Sequence, residues 1–187
     1  RGDAAQLGLA DRTLFRIPTY DFDVEEKALA ENAPRSQGYL LGNHGLADPG
    51  HAPAWRSILH AAVMADGRHL MDLDEKTYQE RKREVESLLI DRIAEWIPDV
   101  RERIEIVETG TPRTMQRYSW NPNGAIYGPD NSTSAHSIHR PAPRSPVPGL
   151  YLAGAWTFPG GGFGGAMSSG WHTASLVMQD VEGSPAT

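Results

Sequence analysis

The stretch Gly149-Leu-Tyr-Leu-Ala-Gly-Ala-Trp-Thr-Phe-Pro-Gly-Gly-Gly-Phe-Gly-Gly-Ala-Met-Ser-Ser-Gly-Trp-His-Thr-Ala-Ser-Leu-Val177 decides how this chain is read. A short apolar run, Leu150–Ala153, has strand length and stops at Gly154. A glycine-dense loop follows, with Gly160, Gly161, Gly162, Gly164 and Gly165. A small-residue segment from Ala166 to about Met178 then predicts a helix. Strand, glycine loop and helix start together offer backbone N–H groups to an anionic or polar ligand. Glycine lets that backbone approach a ligand where a Cβ would collide.

Composition narrows the classes around this stretch. The chain has 187 residues and 39% hydrophobic content, enough for one domain or two small ones. No apolar run approaches the roughly 18 residues of a membrane span. Net charge is −6, and no basic patch interleaves with aromatic residues, so nucleic acid is not an expected partner. Cysteine is absent, which removes disulfides, thiolate metal sites and a cysteine nucleophile, and fits a cytoplasmic setting.

Outward from the loop, the elements are read from periodicity. Residues 12–20 read as a strand with a proline near its end, and Val24–Asn32 as a short helix. Gln37–Asn43 is a second strand, and Gly45–Pro53 a loop with a turn at Asp48-Pro49-Gly50. Trp55–Met64 fits a helix or a buried strand equally well by pattern alone. Asp74–Ile97 is the clearest helix: Tyr78, Val85, Leu88, Leu89, Ile93, Trp96 and Ile97 recur at three- and four-residue steps. Asp72 or Asp74 can cap its start, and Pro98 follows its end. Its charged side, Glu80–Glu86, reads as a solvated face. Ile104–Glu108 alternates like a strand. Thr111-Pro112 reads as a cap followed by proline at the first helical position, opening a helix to about Tyr118. Trp120–Gly128 is a loop, and the proline-rich His136–Pro148 is extended.

The side chains support little acid–base or metal chemistry. His136 and His139 stand three apart, but the prolines around them oppose a helix and no carboxylate pair completes a site, so no metal is expected. Ser168-Ser169 with His172 is not a GxSxG elbow. His172 and Tyr127 are the best reactive candidates, and a packing role suits each better. Trp156 and Phe158 fit core packing and the lining of a ligand equally well. The catalytic residues stay unassigned.

The flanks of the loop, Val147–Trp156 before it and Ser168–Ala174 after it, resemble the C-terminal signature of phytoene desaturase-like FAD oxidoreductases. These comprise carotenoid desaturases, ketolases and retinol saturases, and are related to the flavin amine oxidases. The resemblance is dense over Gly124–Ala174 and thinner at Asp48–Pro53 and Thr111–Trp120. It favours a strand at Trp55–Met64. It implies an α/β fold: an α+β substrate region over residues 1–108, and over 109–187 the closing part of a Rossmann-like FAD-binding domain. It implies FAD as cofactor, held by Gly154, Ala155, Trp156, Gly162, Phe163, Gly164, Gly165 and Ala166. Where many FAD enzymes carry Gly-Asp at the strand end, this chain has Gly154-Ala155, so these positions would act through backbone and packing.

The strand, GxGxxG turn and helix that seat a dinucleotide pyrophosphate, with an acidic ribose ligand further on, are not matched: the Gly160–Gly165 run sits near the C-terminus and is not followed by such an acidic residue. The resemblance therefore implies an N-terminal FAD-binding half elsewhere, as a missing segment or as the separate chain of a heteromer. It also implies flavin-mediated hydride transfer on an apolar, isoprenoid-like substrate, with a peripheral membrane contact as an option. The rival expectations are part of an amine or amino-acid oxidase, and a non-catalytic subunit that needs a partner to bind FAD.

Overall fold

The computed structural model describes Leu7, Leu9, residues 13–130 and residues 132–183. The chain divides into two compact units, Arg1–Arg113 and Thr114–Thr187.

The first unit is a small antiparallel sheet with helices. Its strands are β1 (Leu14–Arg16), β2 (Tyr39–Asn43) and β3 (Leu59–Ala62), in the order β1-β2-β3. Leu14 pairs with Leu41 and Leu41 with Ala61, while Phe15 pairs with Leu40 and Leu40 with Ala62. Because side chains alternate along a strand, these are two rows on opposite faces. The Leu14, Leu41, Ala61 row belongs to the core, with Tyr39, Ile93, Ile97 and Val100. Leu41 is 1% exposed, and burying such a side chain stabilises by about 1.5–3 kcal/mol. The opposite row stays more open, with Phe15 largely exposed and Leu40 and Ala62 half-buried.

The helices of this unit are α1 (Phe22–Ala30), α2 (His44–Ala47), α3 (Arg68–Met71), α4 (Glu75–Ala94) and α5 (Val100–Arg103). The Asp74 carboxylate caps α4 by accepting from the Thr77 N–H at 3.0 Å. The Thr77 hydroxyl and backbone hold that carboxyl below its usual range. The apolar stripe read from the sequence turns Tyr78, Leu88 and Ile93 inward. Tyr78 shares a buried hydrogen bond with the Thr111 hydroxyl at 2.8 Å, and Arg113 lies over its ring at 4.2 Å. The Arg113 guanidinium also donates to the carbonyls of Leu70, Met71 and Leu73, pinning the α3–α4 corner.

Pro112 opens α6 (Pro112–Ser119), and the division between the units falls within this helix. The second unit continues with single 3-10 turns at Pro122–Gly124 and Ser137–His139, and with the long α7 (Gly162–Gly183).

The structure corrects several expectations, among them the extended reading of His136–Pro148, which holds the 3-10 turn Ser137–His139. Gly45–Pro53 is not a plain loop but holds α2 and a 3-10 turn at Pro49–His51, because the Asp48 carboxylate accepts from Gly50 N–H at 2.8 Å and stabilises the turn. Ile104–Glu108 has no ladder: alternation sets a side-chain period, but no strand lies alongside it among the described residues. Leu150–Ala153 likewise forms no strand among the described residues but an isolated bridge, Arg144 to Tyr151, flanked by bonds from Leu152 N–H to the Pro143 carbonyl at 2.8 Å and from Ser145 N–H to the Leu150 carbonyl at 3.3 Å. The final helix begins at Gly162 rather than Ala166, since the glycines that read as loop form its first turn. At Trp55–Met64, where pattern alone left helix and strand open, β3 forms. The α/β class is therefore met as a mixture of helices and one small sheet.

Candidate functional site

The glycine loop is positioned by α7 and by the turn that precedes it. Along α7, Ser169 and Thr173 lie four apart, on one helix face. Ser169 is fully buried; its Oγ accepts from Gly154 N–H at 3.1 Å and bonds the Thr157 hydroxyl at 2.7 Å. The Thr157 hydroxyl donates in turn to the Gly154 carbonyl at 2.9 Å, and Thr173 donates to the Leu152 carbonyl at 3.0 Å. Both backbone groups of Gly154 are thus fixed. The opposite stripe of α7, Phe163, Met167 and Trp171, stands in the open.

Further along the helix, Asp180 accepts a two-pronged contact from Arg144 at 3.1 and 2.8 Å and a hydrogen bond from the Tyr151 hydroxyl at 2.5 Å. Arg144 above all, then Tyr151, lowers the Asp180 carboxyl to about 2. The same hydrogen bond to the carboxylate raises the Tyr151 phenol. A depressed carboxyl stabilises the folded state above its unfolded value and loses that contribution as the pH falls through the folded one. The melting-temperature gap between wild type and Asp180→Asn should therefore be constant near neutrality and close between about pH 4 and pH 2. Thermal unfolding of both proteins at a series of pH values checks this. A gap independent of pH would remove the ion pair from the account.

Arg140 organises the other side of the loop. It is only 6% exposed. Its guanidinium donates to the Tyr127 carbonyl at 3.2 Å, to the Pro129 carbonyl at 3.1 Å and to the Ala155 carbonyl. Gly128 and Gly160, both at positive φ, leave room for it: a Cβ on either would come within about 3 Å of guanidinium atoms. The sequence reading missed Arg140, Ser169, Thr157 and Thr173 as site builders.

The glycines of the loop have distinct jobs. A Cβ on Gly161 would overlap the Tyr127 carbonyl, and one on Gly165 would overlap the Gly160 carbonyl. These two close the loop on itself. A Cβ on Gly154, Gly162 or Gly164 would meet no atom within 4 Å, and Gly154 and Gly162 have positive φ. Bare backbone therefore faces open space at the start of α7. The first four N–H groups of a helix lack intrahelical acceptors, and its N-terminus carries partial positive charge. No acidic side chain occupies this first turn. Such a cradle fits the electron-rich edge of a flavin ring.

Of the other predicted site residues, Ala155 acts through its carbonyl on Arg140 and Ala166 lies half-buried in the first turns of α7. Trp156 donates from its indole N–H to the Asn121 side chain at 2.9 Å, and Phe163 is 92% exposed. The His172 ring meets the Phe158 ring edge-on at 6.3 Å between centroids. Tyr127 is half exposed, and its carbonyl is held by Arg140. The rings of His139, on the 3-10 turn, and of His136, just before it, lie 5.4 Å apart; among the described residues no group of three or more His, Asp or Glu side chains is placed to hold a metal. No helix among the described residues is long and apolar enough to cross a membrane.

Residues 5–178 match the family described as flavin containing amine oxidoreductase. The chain belongs to this family. FAD is the cofactor that membership implies, and the family is one of oxidoreductases. The chain is 31% identical over 136 residues to the chloroplastic prolycopene isomerase of Arabidopsis thaliana, covering 72% of this chain and 23% of that protein. It is 31% identical over 104 residues to the all-trans-retinol 13,14-reductase of Danio rerio, covering 54% of this chain and 17% of that protein. It is 39% identical over 70 residues to the hydroxyneurosporene desaturase of Rhodobacter capsulatus, covering 37% of this chain and 14% of that protein. The chain thus spans less than a quarter of the length of these relatives.

Proposed function

We propose that this chain supplies the flavin-ring cradle of an FAD-dependent oxidoreductase acting on an apolar, isoprenoid-like substrate. The single observation that carries this is the bare backbone at Gly162 and Gly164, set at a helix start free of acidic side chains. FAD, when bound, supplies the acceptor or donor of a hydride. The N–H groups of Gly162, Phe163, Gly164 and Gly165 provide fixed donors and the positive end of α7, which favour negative charge developing on a reduced ring. Gly154, Ala155 and Trp156 contribute through backbone and packing, and Ala166 through its place in the first turns of α7. Ser169 and Thr157 hold Gly154 still, so the cradle is preorganised rather than induced.

The substrate class rests on the relatives' names, which are those of a prolycopene isomerase, a retinol reductase and a hydroxyneurosporene desaturase. The nucleotide-binding fingerprint missing from this sequence is, in this reading, provided by a further stretch of polypeptide, in the same chain or in a partner.

The test is an FAD titration, followed by amide NMR, of the isotopically labelled chain joined with the polypeptide that carries the nucleotide-binding fingerprint, then anaerobic mixing of the flavin-loaded protein with an apolar polyene or an amine. The expected shifts concentrate at Gly154 and Gly162–Ala166, with the polyene, not the amine, changing the flavin absorption. Shifts that bypass these residues at saturating FAD remove the cradle assignment. Reduction by the amine alone replaces the substrate class with that of an amine oxidase.

A further inference from the structure

The first unit holds a cleft that the flavin reading does not use. The turn after α1 and one face of α4 line an open surface cleft of about 410 Å³, within the range of small-molecule sites. Its floor is apolar, made by Ala33 and Pro34 from the turn and by Val85 and Leu88 from the helix. Its rim is charged, with Arg35 on the turn and Arg81 and Glu84 on the helix. Arg81, Glu84, Val85 and Leu88 follow the three- and four-residue spacing of a single helical face. The cleft is therefore built by one continuous stripe facing one turn.

Both ends of the turn are stapled to α4. Arg81 donates to the Asn32 carbonyl at 3.1 Å, and Arg92 donates to the Arg35 carbonyl. These bonds fix the turn against the helix on either side of the cleft. Arg81 also pairs with Glu84 at 2.9 Å. Two guanidiniums against one carboxylate leave one positive charge at the rim, and the Arg81–Glu84 pair places it on the exposed side chain of Arg35.

We propose that this cleft binds a small amphipathic monoanion: an aliphatic carboxylate whose head pairs with Arg35 and whose chain lies on Ala33, Pro34, Val85 and Leu88. A guanidinium presents a planar fork that matches a carboxylate, and the apolar floor continues directly from it. An acid of this kind engages both halves of the site, whereas a simple inorganic anion has no use for the floor and a neutral alcohol none for the charge. None of the lining residues belongs to the glycine loop or its supports, so the site stands or falls independently of flavin binding.

The experiment is a calorimetric titration of the protein with octanoate, with octan-1-ol and acetate as controls, repeated on Arg35→Gln and Val85→Asp. Octanoate is expected to bind saturably and at least tenfold more tightly than either control. Each substitution should weaken it at least tenfold while the unfolding midpoint stays within a few degrees of wild type. Arg35→Lys should retain part of the affinity. No saturable octanoate binding, equal binding of octan-1-ol, or unaltered binding by Arg35→Gln would each overturn the proposal.

Discussion

Gly164→Leu should leave the protein folded at wild-type stability or slightly above it, and lower its affinity for FAD at least tenfold. Gly164 sits in the first turn of α7, where an added Cβ would meet nothing within 4 Å. It lacks the positive φ that makes Gly154 and Gly162 intolerant of side chains. Replacing a helical glycine removes an entropic cost of roughly 0.5–1 kcal/mol. The same side chain fills the space through which a flavin ring would approach the helix N-terminus. A tenfold loss corresponds to about 1.4 kcal/mol, less than the worth of two good hydrogen bonds to a charged group. Gly161→Ala is the contrasting variant, because its Cβ would overlap the Tyr127 carbonyl. It should lose stability and flavin together. Thermal unfolding and equilibrium FAD titration separate the two cases. A Gly164→Leu protein that holds FAD as tightly as wild type would place the flavin somewhere other than the start of α7.

That contrast was only half legible in the sequence. The glycine run pointed to close backbone approach, and Gly164 and Gly165 looked equivalent as contact points. In the structure Gly165 closes the loop against the Gly160 carbonyl, while Gly164 faces outward. Sequence position cannot separate these roles, because both depend on how the chain turns at Gly160 and Gly162. Helix α4 was legible for the opposite reason: its cap at Asp74 and its buried Tyr78, Leu88 and Ile93 are set by local periodicity. The strands β1 and β2 were legible as short apolar runs, whereas β3 rested on the family resemblance because pattern alone left Trp55–Met64 open between helix and strand. Ile104–Glu108 and Leu150–Ala153 carry similar patterns without a ladder, since alternation and apolar runs say nothing about which strand lies alongside. The Ser169 and Thr173 spacing was present as a signal, two small hydroxyls one helical turn apart, and it went unread because such residues are common on helices.

Arg140 had no signal at all, and its removal is the largest stability effect expected outside the hydrophobic core. Its bonding partners are backbone carbonyls of Tyr127, Pro129 and Ala155, 11 to 15 residues away, and no side-chain pattern marks a carbonyl in advance. Replacing it with methionine keeps much of the volume and removes every donor. Carbonyls buried around the guanidinium would then lose their partners, and a lost bond to a charged donor costs about 1.5–3 kcal/mol. Because the bonds share one group they do not add fully, and about 3 kcal/mol is the expected total. Arg140→Lys keeps the charge but cannot span carbonyls that a planar fork reaches together, so it should fall between wild type and Arg140→Met. The Phe158 N–H, bonded to the Pro141 carbonyl at 3.1 Å, is a local reporter beside the affected loop. Its hydrogen-exchange protection should drop roughly 100-fold in Arg140→Met. The FAD affinity should fall with it, since Ala155 and Gly160 both rest on the guanidinium. Protection of Phe158 within a few-fold of wild type would mean that the loop is held by α7 through Ser169 and Thr173 alone, with Arg140 merely filling the space beneath it.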